Sequence, residues 1–183
     1  MIKTAAVIAS VLLTAAALRA QPALFVGAHF VGASLTTLDT HVADFPAEFG
    51  SGFGTHAGLS FGDRFGLLVS ADRSIRGVKS DHTDLRQWDV LGRMTWFEIG
   101  PASVYLTAGL SRNSASLPPR GDSPFGDLNP TAGLTGQMPL FSKLAVAAGF
   151  LWTLGKFDDG QGGSTPLVQR AFFGASVFLF GGK

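Results

Sequence analysis

The feature that most constrains this chain is an alternation of period two, repeated in eight stretches after residue 23. In 24–34, Leu24, Val26, Ala28 and Phe30 hold one phase and Gly27 and His29 the other. In 54–61, Ala57, Leu59 and Phe61 alternate with His56, Gly58 and Ser60. In 65–72, Phe65, Leu67, Val69 and Ala71 alternate with Gly66, Ser70 and Asp72, and Leu68 breaks the pattern. In 85–97, Trp88, Val90, Met94 and Trp96 oppose Gln87, Asp89, Arg93 and Thr95. The stretches 103–111, 129–138 and 144–153 repeat the scheme. The last, 170–180, is apolar on both phases, so its faces stay unassigned. Such alternation predicts strands with one apolar face each.

Which face is inside follows from side-chain size. The second phase is mostly Gly, Ala, Ser, Thr, Asn and Gln, too small and polar for a greasy core. It suits the narrow interior of an eight-stranded barrel, which side chains can fill. The large apolar phase then faces lipid, and closure pairs every backbone group in a medium without water. The links agree. Short ones, at 62–64, 98–102 and 139–142, alternate with longer polar ones near 35–53, 73–84, 112–127 and 155–169. Short turns on one side and long loops on the other are the habit of transmembrane barrels. Trp88 and Trp96 are eight residues apart on one face, close to a membrane thickness, and Trp152 falls at the end of Trp88. The three are expected to form an aromatic girdle at the two interfaces.

Composition sets the bounds. The 183 residues suffice for one domain. Charged residues make up 15%, well below the roughly 25% of soluble domains, and no later run reaches the roughly 20 apolar residues of a membrane helix. Residues 1–20 have the form of a cleaved signal peptide, with Lys3 before an apolar stretch from Thr4 to Leu18 and Leu18-Arg19-Ala20 at its end. Residues 21–183 would then be the barrel domain. Cleavage after Ala20 removes Lys3 and Arg19 from the 14 basic side chains, leaving 12 against 13 acidic ones. That balance argues against a nucleic-acid partner. With no cysteine there is no lipidation site, disulfide or thiolate metal site. No cofactor is expected.

With these features the chain resembles the small OmpA/OmpX-type outer-membrane barrels. The stretch Phe173-Gly174-Ala175-Ser176-Val177-Phe178-Leu179-Phe180 resembles the C-terminal assembly signal of that class, although Gly181-Gly182-Lys183 follow it. The resemblance implies an all-β, eight-stranded antiparallel barrel in the cell outer membrane, without the peptidoglycan-binding domain that some members carry. Its implied partners are outer-membrane lipid and lipopolysaccharide, the assembly machinery, and an extracellular ligand reached through the loops. The role it implies is structural or surface-interacting, not enzymatic. A lipid A-modifying enzyme and a narrow solute pore are the alternatives.

Several residues invite chemical readings. Asp89 and Arg93 share the inward phase on either side of Leu91, and Asp72, His29 and His56 are inward at related depths. They form either an ion path or a hydrogen-bonded plug, and a plug must pair its charges because an unpaired buried charge is costly. His82 with Asp81 and Asp84, or His41 with Asp39 and Asp44, offers a base and its orienter, and Ser80 a nucleophile. Asp- and Ser-rich segments are also ordinary solvated turns. Arg73, Arg76, Lys79 and Arg86 suit lipopolysaccharide phosphates. Asp158-Asp159-Gly160-Gln161-Gly162-Gly163 lacks a full set of calcium ligands and reads as a turn. Arg120-Gly121-Asp122 has the form of an adhesive ligand loop, but its flanking prolines are equally good turn chemistry.

Overall fold

The computed structural model describes residues 22–37, 48–62, 64–76, 83–117, 121–124, 128–155 and 166–181. They form nine strands: β1 Pro22–Thr37, β2 Glu48–Phe61, β3 Phe65–Arg76, β4 Thr83–Ile99, β5 Ala102–Leu117, β6 Gly121–Pro124, β7 Asn129–Phe141, β8 Leu144–Leu154 and β9 Pro166–Phe180. Eight of them close a barrel in the order β1-β2-β3-β4-β5-β7-β8-β9, and β9 returns to pair antiparallel with β1 from Leu24↔Phe180 to Thr37↔Pro166. Closure leaves no sheet edge to satisfy in lipid. The ninth, β6, pairs with the outer end of β5, Ser114 to Leu117, beyond the last β5–β7 pair at Ser111↔Asn129.

The burial pattern is that of a soluble protein turned inside out. Phe30, Phe53, Trp88 and Phe173 are more than 60% exposed, whereas Arg170, Asp89 and Gln87 are each 1% exposed. An apolar exterior over a polar interior is stable only where lipid replaces water outside. The barrel therefore spans a membrane, with its alternating faces as the sequence predicts.

The structure assigns the strand whose faces were unreadable. On β9, Phe173, Val177 and Leu179 face out, while Val168, Arg170 and Ser176 are buried in the lumen. Phe172 and Phe178 also pack inward, against a cluster of Phe25, Leu68, Leu91 and Leu151. Both phases of β9 are apolar because the lumen here holds its own small apolar cluster. Leu68, which breaks the alternation of β3, belongs to it.

The short links lie where expected. Gly62 (φ 63°) and Gly100 (φ 58°) take the left-handed backbone that tight turns require and that side chains disfavour. The ladder shifts register between Thr95 and Phe97, making Trp96 a bulge residue. Beyond it the phase reverses, so Ile99 faces out and Glu98 borders the lumen mouth.

The long links are shorter than the alternation predicts. Residues 48–53, 73–76, 83–84, 112–117 and 166–169 are strand, and so are Gly121–Pro124. β4 has 17 residues, against the roughly 9–11 that cross a membrane. The barrel wall thus continues past the bilayer on the long-loop side. There the ladder persists with small polar side chains such as Ser74 and Asn113 buried on its inner face and fewer large apolar ones on its outer face.

Candidate functional site

The alternation of β3, β4 and β9 brings Asp72, Asp89 and Arg170 to one level of the lumen. Arg170 crosses it and donates through Nη1 to Asp72 Oδ2 (2.5 Å) and Asp89 Oδ2 (2.7 Å), and through Nη2 to Asp89 Oδ1 (3.0 Å). Ser70 donates to Asp89 at 2.6 Å, and the Ser111 hydroxyl also donates to Asp89. A belt of hydroxyls continues around the wall from Ser111 to Thr131 (2.5 Å) and Thr153 (2.7 Å), which accepts from Gln87 Nε2 at 3.1 Å. Charge-assisted bonds of this kind tie the two carboxyl groups to one guanidinium.

From Asp72 a second chain runs through the histidines. His29 Nε2 is 2.7 Å from Asp72 Oδ1, the two Nδ1 atoms of His29 and His56 are 3.0 Å apart, and His56 Nε2 is 2.7 Å from Ser176 Oγ. With Asp72 accepting from Arg170, the consistent tautomer has His29 Nε2–H donating to Asp72 Oδ1. In a neutral pair, His56 Nδ1–H then donates to His29 Nδ1, and the Ser176 hydroxyl donates to His56 Nε2. The order is that of a nucleophile, base and orienter. Ser176, however, is fully buried, and its hydroxyl is offered to no substrate. The chain is kept close by glycines. A Cβ at Gly54 would collide with the Asp72 carboxylate and the His29 ring.

Below this layer, on the short-turn side, lies the apolar cluster, with Phe25 T-stacked on Phe178. Arg93 sits beneath it, its guanidinium 4.6 Å from the Phe25 ring and 4.5 Å from the Tyr105 ring. It donates to Gln137 Oε1 (3.2 Å) and Ser60 Oγ (2.5 Å). The cavity beside these groups measures about 20 Å³, room for a water molecule or two. At the short-turn end the lumen widens into a vestibule of about 510 Å³.

On the outer wall of the long-loop side, Asp84 accepts from Arg73 (3.1 and 2.9 Å) and from Arg86 (3.3 and 3.1 Å). Burial beneath these exposed arginines pushes the Asp84 carboxyl upward. Their hydrogen bonds and charges outweigh that effect and hold it below its ordinary value. Its hydrogen bond and charge raise Arg73.

Of the residues singled out from sequence, Asp72, Asp89, Arg93, His29 and His56 are all buried in the lumen. Asp89 and Arg93 do not pair. Leu91 and the apolar cluster part them, and the cation on Asp89 is Arg170. Arg170 and Ser176 escaped notice because β9 offered no readable phase; an arginine alone in an apolar strand was the available signal. Trp88, Trp96 and Trp152 are on the exterior, at 64%, 57% and 41% exposure, and Trp152 packs edge-on against Phe150. The backbones of Gly121 and Asp122 lie in β6, paired with Leu117 and Ser116. Arg120 and the side chains of that tripeptide lie outside the described residues. So do residues 1–20, His41, Lys79, Ser80, Asp81, His82, the side chain of Arg76 and the segment 158–163.

No family model matches the sequence, and no curated protein matches it. Solved structures do match. Neisserial surface protein A (NspA) superposes with a TM-score of 0.65 at 19% identity, over 84% of this chain and 96% of that one. The attachment invasion locus protein Ail of Yersinia pestis gives 0.56 at 16% identity, over 87% and 99%. The outer membrane protein OprG of Pseudomonas aeruginosa gives 0.56 at 10% identity, over 88% and 98%. The chain has the fold of the small eight-stranded outer-membrane barrels.

Proposed function

We propose that this outer-membrane barrel is a non-enzymatic, non-conducting protein with a structural or surface-interaction role. One observation carries the reading. The lumen is filled at mid-depth by the Arg170–Asp72–Asp89 layer and the apolar cluster beneath it, beside a cavity of about 20 Å³. A solute path would need both layers to part. Among the described residues the chain Ser176–His56–His29–Asp72 ends on a buried hydroxyl. The filled lumen therefore speaks against the pore, and the burial of Ser176 speaks against catalysis by that chain of residues.

The strands beyond the membrane supply the surface for interaction. Arg73 and Arg86 stand exposed there, suited to the phosphates of lipopolysaccharide even while they share Asp84. Among proteins of this fold, Ail has been crystallised with the heparin analogue sucrose octasulfate, itself a polyanion. Export by a signal peptide at 1–20, and the interfacial anchoring by Trp88, Trp96 and Trp152, belong to the same reading.

Planar-bilayer recording of the purified full chain tests it. Silent membranes and no product from lipid A are expected. Reproducible unitary steps would make the protein a pore, and release of acyl chains or phosphate from lipid A would make it an enzyme.

A further inference from the structure

Two buried imidazoles are joined nitrogen to nitrogen, a contact that leaves their protons little freedom. His29 of β1 and His56 of β2 meet through Nδ1 atoms 3.0 Å apart, and the 5.2 Å between their centroids is that of rings meeting edge to edge. Two bare nitrogens at this distance repel, and so do two N–H groups, so the gap holds one proton. His29 Nε2 carries a second, donated to Asp72 at 2.7 Å. Of the ring nitrogens only His56 Nε2 is then bare, and it accepts from Ser176 at 2.7 Å. The chain ties β1, β2, β3 and β9 together across the lumen. Both rings are hemmed in. His29 sits over Gly54 and against Phe172, and His56 sits over Gly27 and beside Phe25.

This bonding limits how many further protons the pair can hold. One more can enter at His56 Nε2, because the Ser176 hydroxyl accepts as well as donates and turns to receive it. The rings then share a single positive charge and every contact survives. The next proton must enter the Nδ1 gap, where two N–H groups of two cations would face each other at 3.0 Å. The groups around the pair pull both ways. Asp72 from β3 and Asp89 from β4 favour charge on it, whereas Arg170 from β9 and Arg93 from β4 oppose it, with Tyr105 of β5 behind Arg93. The neighbouring cavity of about 20 Å³ holds too little water to screen a second charge. We propose that the His29–His56 pair is an acid-operated joint in the lumen: it takes up one proton intact and parts at the second, loosening the layer that closes the barrel in neutral medium. Parting separates the Ser176–His56 half from the His29–Asp72 half, so Asp72 and Arg170 lose their brace to β2. The closed joint belongs to the non-conducting barrel at neutral pH.

Nitrogen NMR of the histidine-labelled full chain in lipid nanodiscs tests the joint. His41 and His82, the other two histidines of the chain, are replaced by Gln in every sample, so that only the pair is seen. Near neutral pH one imidazole proton should couple to both Nδ1 atoms. On acidification the pair should take up one proton with that coupling kept, and lose the coupling on taking the second. Stability gives an independent readout. In the unfolded chain both histidines take up protons below about pH 6.5, whereas the folded, joined pair takes one. The unfolding equilibrium constant should therefore rise about tenfold between about pH 6 and about pH 5. His56→Asn places an amide near the position of Nδ1, and that amide can flip to suit either state of His29. Its unfolding constant should change little over the same interval. Absence of the coupling at neutral pH, or two protons taken up with the coupling intact, would overturn the joint. So would equal pH dependence in the parent and His56→Asn.

Discussion

Replacing Arg170 by Met keeps much of the side-chain length and removes the charge at the centre of the lumen. In the structure Arg170 makes three charge-assisted bonds of 2.5, 2.7 and 3.0 Å to two carboxylates that are otherwise buried. Removing one partner of a buried ion pair costs roughly 3–5 kcal/mol, because the partner is left uncompensated. Here two carboxylates lose the same cation, so the upper half of that range is expected, about 4–5 kcal/mol. Asp72 keeps His29, and Asp89 keeps Ser70 and Ser111, which limits the loss. The assay is urea unfolding of the lipid-refolded barrel, followed by the mobility difference between unboiled and boiled protein on a detergent gel. A triple variant, Arg170→Met with Asp72→Asn and Asp89→Asn, removes the stranded charges and should recover most of the loss. A cost below about 1 kcal/mol for the single variant, typical of an exposed ion pair, would refute the reasoning. So would a triple variant no more stable than the single one.

Gly54→Ala should also destabilise the barrel, by about 1–3 kcal/mol as an overpacking change, since the added methyl meets Asp72 and His29; the same gel-based unfolding curve checks it. On the lipid face, Leu134→Arg should cost about 2–4 kcal/mol near the midplane, while Thr135→Ser, on the inward phase, should cost much less. Equal effects would mean the faces are reversed. Asp84 has a folded-state pKa below its unfolded value, so its contribution is present above the ordinary carboxylate range and is lost as pH falls through the folded pKa. The stability gap between parent and Asp84→Asn should therefore close on acidification, and a gap constant with pH would contradict this. Asp122→Glu should leave host-cell attachment absent or unchanged; a clear loss of attachment in a correctly folded barrel would make Arg120-Gly121-Asp122 an adhesive ligand.

What the sequence revealed follows from where lipid acts on it. Between residues 24 and 153 the bilayer sorts side chains by parity, so His56, Asp72 and Asp89 could be placed in the lumen and Leu67, Val69 and Val90 outside it. Past the bilayer the outward phase is no longer held to large apolar side chains: Arg73 and Arg112 alternate there with buried Asp72, Ser74, Ser111 and Asn113. The outer ends of β2, β3 and β5 and the whole of β6 therefore read as loop although their ladders continue. Pairing within the lumen was also hidden. Parity puts Asp89 and Arg93 on one face but says nothing of what crosses from the far wall, and Arg170 does so from the strand where parity was silent. The phase reversal after Trp96 could not be read either, because one bulge residue leaves no mark in composition.

The central claim, an inverted barrel whose alternate residues meet lipid, is tested most directly on β9. Because the chain has no cysteine, single cysteines can be placed at consecutive positions from Ala171 to Val177. Each is labelled with a small fluorophore and the protein refolded into vesicles containing brominated lipid. Strong quenching at Ala171, Phe173, Ala175 and Val177, with weak quenching or failure to label at Phe172, Gly174 and Ser176, is the expected outcome. Uniform quenching along the strand, or quenching in the opposite phase, would contradict the account.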